Sequence, residues 1–151
     1  MSTTWILTAS VGNYEATEAH DFSVIGLKER NRKRAMDMEP GDVIVLYLTK
    51  VMSLAGAIRI TGDLYEDRTK IWPGKPSNPD PYPWRLATEP IVTLPPAHWI
   101  PAEPLKTDLE HVRKWPAEHW KLAFQGQLRA VSGADSALLM GRLHDAARTP
   151  A

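Results

Sequence analysis

Apolar residues along the chain fall in short blocks separated by polar turns, and only near the C-terminus do they adopt a helical spacing. The block Val43 to Leu48 is apolar on both faces, which predicts a central strand covered on both sides. Glu39-Pro40-Gly41-Asp42, with Pro and Gly in turn order, launches it. Leu54 to Thr61 predicts a second long strand, with Gly56 allowing a bulge or a close backbone approach. Ahead of these, Thr4 to Ser10 is β-prone and predicts a first strand that ends in a loop at Gly12-Asn13. Phe22 to Gly26 predicts an extended segment, and Leu27 to Met36, rich in helix formers, a short helix. Consecutive long strands imply a curled sheet.

Ten of the thirteen prolines lie between Pro73 and Pro104. Proline cannot donate to a ladder, so regular structure there is expected only in short pieces, Trp84 to Thr88 and Ile91 to Leu94. Trp72, Tyr82, Trp84 and Trp99 interleave the prolines, which predicts an ordered loop instead of a solvated spacer. Further on, Ser132-Gly-Ala-Asp135 has the form of a capping box. Leu138, Leu139, Arg142, Leu143 and Ala146 follow at three-and-four spacing, predicting an amphipathic helix from about Ala134 to Ala147.

Composition narrows the class of partner. The 151 residues fit one domain, 1–151, and 43% apolar with 24% charged residues is globular. Eighteen Lys and Arg cancel eighteen Asp and Glu, so an anionic partner must be met by a local patch. The absence of cysteine excludes disulfides, thiolate zinc sites and cysteine nucleophiles. No apolar run is long enough to cross a bilayer and the start lacks a signal pattern, so a cytoplasmic protein is expected.

The five histidines, at 20, 98, 111, 119 and 144, show no paired metal-ligand spacing, and no metal or cofactor is expected. His111 and His119 read as surface or packing residues. Nucleophile elbows and phosphate loops are missing as well. The carboxylate pairs Asp63/Asp67 and Asp37/Asp42 read as solvated turn residues. Two features carry chemistry. From Lys28 to Arg34 there are five cations and one anion, Glu29, which suits either phosphate contact or an exposed helix face. Arg59, Arg68, Lys70, Lys75 and Arg85 would have to converge on the same face. The other feature is Trp72, beside Pro73-Gly74, whose indole could stack on a nucleobase; the remaining tryptophans read as core or loop anchors.

In order along the chain, several pieces resemble the EVE domain family of the PUA-like superfamily, which includes the YTH domains. They are Trp5-Ile-Leu with Ser10 and Asn13, Gly26-Leu-Lys28 before a basic segment, Met38-Glu-Pro-Gly-Asp42 into Val43 to Tyr47, and Gly56-Ala-Ile-Arg-Ile with Asp67. Tyr82-Pro-Trp-Arg85, Trp120 and Phe124-Gln-Gly126 complete the set. The resemblance implies an α+β fold, a PUA-like mixed β-barrel with flanking helices. It also implies binding of a modified base of DNA or RNA in an aromatic pocket. By position, that pocket comprises Ser10, Asn13, Val24, Ile25, Gly26, Leu27, Lys28 and Trp72. Relatives often carry a Trp near the position before the Gly, where this chain has Val24-Ile25, which implies fewer aromatic walls.

The leading expectation is a non-catalytic reader in which Trp72 stacks on an unpaired, modified base and Asn13 and Ser10 bond its edge. Lys28, Arg30, Arg32, Arg34 and Arg85 would contact phosphates. The alternative is a binding module for a free nucleoside or nucleotide. A third reading, an enzyme with Asp67 or Glu66 as general base, needs a carboxylate within about 3 Å of the reacting atom.

Overall fold

The computed structural model describes residues 2–73 and 81–148. Lys75, Pro76 and Pro79 of the proline-rich segment lie outside them. The chain forms an α+β fold around one curled sheet of eight strands. In chain order these are β1 (Thr4–Ala9), β2 (Val24–Leu27), β3 (Val43–Leu48), β4 (Ser53–Ile60), β5 (Tyr65–Glu66), β6 (Trp84–Thr93), β7 (Ile100–Pro101) and β8 (Leu128–Val131). Helices α1 (Val11–Ala19), α2 (Arg32–Ala35) and α3 (Gly133–Arg148) flank it, with short 3₁₀ turns between. The sheet order is β2-β6-β4-β3-β1-β8, β5 adding to β6 and β7 to β4. Among the described residues only β1 and β3 pair in parallel. Among the described residues no helix is long and apolar enough to cross a membrane.

Alternation explains why β3 is apolar throughout. Ile44, Leu46 and Leu48 enter one core with Trp5, Leu7 and Tyr14, while Val45 and Tyr47 enter a second core with Ile6, Leu139 and Leu143 of α3. Both faces of the sheet are covered, so polar positions on this strand would each remove about 1.5–3 kcal/mol of burial. Gly56 serves as a close approach, since a Cβ there would lie 2.6 Å from the Val92 carbonyl oxygen. The partner register slips around it, and β4 changes face, Leu54 and Ala57 joining the second core and Ala55 and Ile58 the first.

Four local expectations are corrected. The segment after Ser10 is a helix and not a loop: the Ser10 hydroxyl oxygen accepts from the Asn13 amide at 3.1 Å, so Gly12 and Asn13 occupy a capped first turn. The basic segment is a 3₁₀ turn, Glu29–Asn31, followed by the single turn of α2, because Lys28 is still extended. The two short pieces expected among the prolines are one ten-residue strand, β6. Pro90 is tolerated because β2 pairs only with residues 84 to 87, and the ladder to β4 is irregular next to it. Asp42 is buried, where a solvated turn residue was expected. Its carboxylate accepts from the Thr3 amide at 2.9 Å, Trp5 Nε1 at 3.0 Å and the Glu39 amide at 3.1 Å.

The capping box keeps half its form. Ser132 accepts from the Asp135 amide, but the Asp135 carboxylate accepts from the amides of Glu110 and His111 at 2.8 and 2.9 Å, fastening a distant turn to α3.

Candidate nucleic-acid interface

A cleft of about 710 Å³ opens at the C-terminal end of β1. One wall is β2 with the residues after it, a second is α1, a third holds Trp72 and Tyr82, and the last is Thr49-Lys50 with Phe124 to Gln127. Helix α1 sets the aromatic wall. Asn13 and Thr17, one turn apart, share a face of the helix. Asn13 Nδ2 donates to the Tyr82 hydroxyl at 2.9 Å, and Trp72 Nε1 donates to Thr17 Oγ1 at 2.9 Å. Thr17 donates in turn to the Asn13 carbonyl, so both aromatic side chains hang from one buried chain of bonds.

Gly26 lets Trp72 approach β2. A Cβ at 26 would lie 2.4 Å from Trp72 Cζ3 and 2.9 Å from Tyr82 Cβ, a space that no other residue can share without displacing the wall. On another side the Arg85 guanidinium lies 5.2 Å from the indole centre. Trp72 is therefore only 4% exposed. It walls the cleft and, in this conformation, is not the open stacking platform expected from sequence.

At the seam between the two ends of the sheet sits Gln127. Its Oε1 accepts from the Lys28 amide at 2.9 Å and from Asn31 Nδ2 at 2.8 Å, and its Nε2 donates to the Gly26 carbonyl at 3.4 Å. Thr8 of β1 donates its amide to the Gln127 carbonyl. One carboxamide thus satisfies β2 where a neighbouring strand would otherwise be needed.

The predicted site residues divide. Ser10, Asn13, Ile25, Gly26, Lys28 and Trp72 line the cleft, and Arg30 joins them. Val24 and Leu27 do not: Leu27 is wholly buried in the first core. Arg32 lies over the Trp84 ring at 4.9 Å, outside the cleft, and Arg34 donates to the Leu128 carbonyl at 2.6 Å, tying α2 to β8. Arg85 is corrected outright. It is 1% exposed and donates to the carbonyls of Thr69, Pro81 and Tyr82, with Asp67 at 3.4 Å, so it orders the loop behind Trp72 and cannot reach a phosphate.

Sequence reasoning missed Thr49, Lys50, Tyr82 and Gln127. Tyr82 was visible as an aromatic among prolines, but nothing in sequence marks Lys50 or Gln127.

Charge is graded through the cleft. The inner residues Leu7, Ile25, Phe124, Trp72 and Tyr82 are buried and apolar or aromatic, whereas Lys28, Arg30 and Lys50 stand at the rim. Among the described residues no carboxylate lines it. Lys28 Nζ sits 5.9 Å from the Tyr82 ring centre, a cation above an aromatic face. Asp67 is elsewhere; the Thr69 amide, with Arg85 beside it, holds its carboxyl below the ordinary value. Glu66 pairs with Arg68 at 2.8 Å. Among the described residues no three His, Asp or Glu side chains gather as metal ligands would.

No family model matches the chain. The UPF0310 protein PH1033 of Pyrococcus horikoshii is 23% identical over 134 residues, 83% of this chain and 87% of that protein. Among solved structures, the Mmi1 YTH domain aligns with a TM-score of 0.65 at 12% identity, covering 96% of this chain and 76% of that one. A complex of the YTH domain-containing protein mmi1 with RNA gives 0.65 at 13% identity, covering 96% and 83%. Rpa0253 from Rhodopseudomonas palustris gives 0.60 at 12% identity, covering 94% and 93%. At these identities the likeness is one of fold, and the chain has a YTH-like α+β fold.

Proposed function

We propose that the chain is a non-catalytic nucleic-acid reader of the EVE type, one domain that takes an unpaired, modified base into the cleft. The observation that carries this reading is the gradient from a buried apolar and aromatic interior to a cationic rim that, among the described residues, holds no carboxylate. A ligand suited to it has a flat, weakly polar body and an attached anion, as a nucleotide does. The interior receives the ring, Ser10 and Asn13 stand at its edge, and Lys28 and Arg30 meet the flanking phosphates. Extruding a base from a stack costs a few kcal/mol, which ring contacts of roughly 1–3 kcal/mol per base and phosphate pairing together offset.

The YTH-like fold, present in an RNA complex in Mmi1, and the ordered set of sequence features shared with EVE domains support the reading. The engagement of Asp67 and Glu66 away from the cleft favours binding over base chemistry.

Anisotropy titrations of single-stranded oligonucleotides with and without a methylated base test it. Tighter binding of the methylated strand is expected, with log K falling against log salt at a slope of about −1.4 or steeper, the share that Lys28 and Arg30 supply by each meeting one phosphate. Absence of binding to any oligonucleotide at low salt overturns the reading. The free-nucleotide alternative predicts instead that Arg30→Gln leaves oligonucleotide affinity almost unchanged.

A further inference from the structure

The cleft is cationic on two separate sides. Lys28 and Arg30 follow β2, while Lys50 belongs to the β3–β4 turn, beside Thr49, whose amide donates to the Ala9 carbonyl. Between them lie the end of β1 and the segment carrying Gln127, so the two cationic edges are set apart by two intervening segments of chain. Neither Lys50 nor Arg30 has an ion-pair partner among the described residues, whereas Arg59, Arg68, Arg85 and Lys106 all do.

The turn that delivers Lys50 is strained. Lys50 has φ 65° and Met52 φ 47°, in the left-handed region where Gly or Asn is cheaper for the backbone. Tyr82, φ 54°, is the other cleft residue among the five non-glycine positions of this kind in the described residues. Such outliers concentrate where a side chain must be aimed at a ligand.

Resting on the reading above, we propose that Lys50 is a second phosphate clamp, facing Lys28 and Arg30 across the cleft, and that the ligand is a continuous polynucleotide strand. A lone nucleotide has its phosphate on one side of the ring and needs one cationic rim. A strand that places one base in the cleft carries phosphodiesters to both sides, and each side here has its cation. The three contacts together give a salt slope near −2.1 for single strands.

The test compares Lys50→Gln, Lys50→Gly and Arg30→Gln on a short single-stranded oligonucleotide and on the corresponding mononucleotide, with thermal unfolding of each variant. Lys50→Gln is expected to weaken the oligonucleotide about fivefold at low salt and to bring the slope to about −1.4, with mononucleotide affinity hardly changed. Lys50→Gly should lose the same binding while its Tm rises by about 2–4 °C, as left-handed strain is relieved. A purely structural lysine would not trade binding for stability in this way.

An unchanged slope in Lys50→Gln, with Arg30→Gln still lowering it, overturns the second clamp and leaves the base-reading proposal standing. So does a fall in Tm for Lys50→Gly, or equal losses on both ligands. A wild-type chain that binds no oligonucleotide overturns the parent reading and this inference with it.

Discussion

The two ends of the molecule treat their polar groups in opposite ways. Around α3 they are turned inward: Asp135 accepts two amides, and His111 Nε2 lies 2.7 Å from the Ala123 carbonyl. Around the cleft, Lys50 and Arg30 stand at an open rim, and among the described residues they have no ionic partner and no carboxylate lines the cleft. The same contrast separates two arginines. Arg85 is engaged by backbone carbonyls and by Asp67, and Arg30 by nothing ionic among the described residues. Burial and partners, and not residue type, decide which cation is structural and which is available to a ligand.

The largest effect expected from breaking this contrast is at Arg85. Arg85→Ala leaves three carbonyls without their donor and should cost about 3–4 kcal/mol in denaturant unfolding, at about 1 kcal/mol each plus lost packing. Asp135→Ala removes the acceptor of two amides and should cost about 2–3 kcal/mol, with oligonucleotide affinity unchanged. Gly26→Ala should cost about 2 kcal/mol and also weaken ligand binding, because the new methyl displaces Trp72 and Tyr82.

A smaller effect is expected from pH. Burial, the largest cause, pushes the His111 pKa below its ordinary 6.5. The unfolded chain therefore takes up that proton first, and stability should fall as pH drops below 6.5 toward the folded value. Thermal unfolding between pH 7 and pH 5 checks this, and His111→Gln should flatten the dependence. Last, Arg30→Gln should change stability by no more than about 0.5 kcal/mol and register in the affinity and salt slope of oligonucleotide binding.

The fold was legible where pattern and turn chemistry agree. The apolar run of β3, the Pro-Gly turn before it and the spacing of α3 each specify their element locally. The capped helix α1 was missed because Gly12-Asn13 reads as a turn unless Ser10 is recognised as a cap. The unity of β6 was hidden by Pro90, whose tolerance depends on how far β2 extends.

The candidate site was legible by region and less so by residue. Ser10, Asn13, Gly26, Lys28 and Trp72 do meet at one cleft, yet the count of cations from 28 to 34 could not say which of them face it. Arg85 could be separated from the rest only by burial, a property of the assembled structure. Tyr14 shows the same limit: its hydroxyl has no hydrogen-bond partner among the described residues, and burial pushes its pKa up to about 12, neither of which helical position alone reveals.

The carboxamide of Gln127 fastens the two ends of the curled sheet. A ladder closes through many backbone bonds and opens only by cooperative unzipping, but here one flexible arm bridges the gap, and its anchorage on β2 is also a border of the cleft. Occupancy of the cleft and integrity of the closure are thereby coupled through the same few atoms. Amide exchange at Lys28, slowed when a guest holds Gln127 in place, becomes a local gauge of whether the cleft is filled.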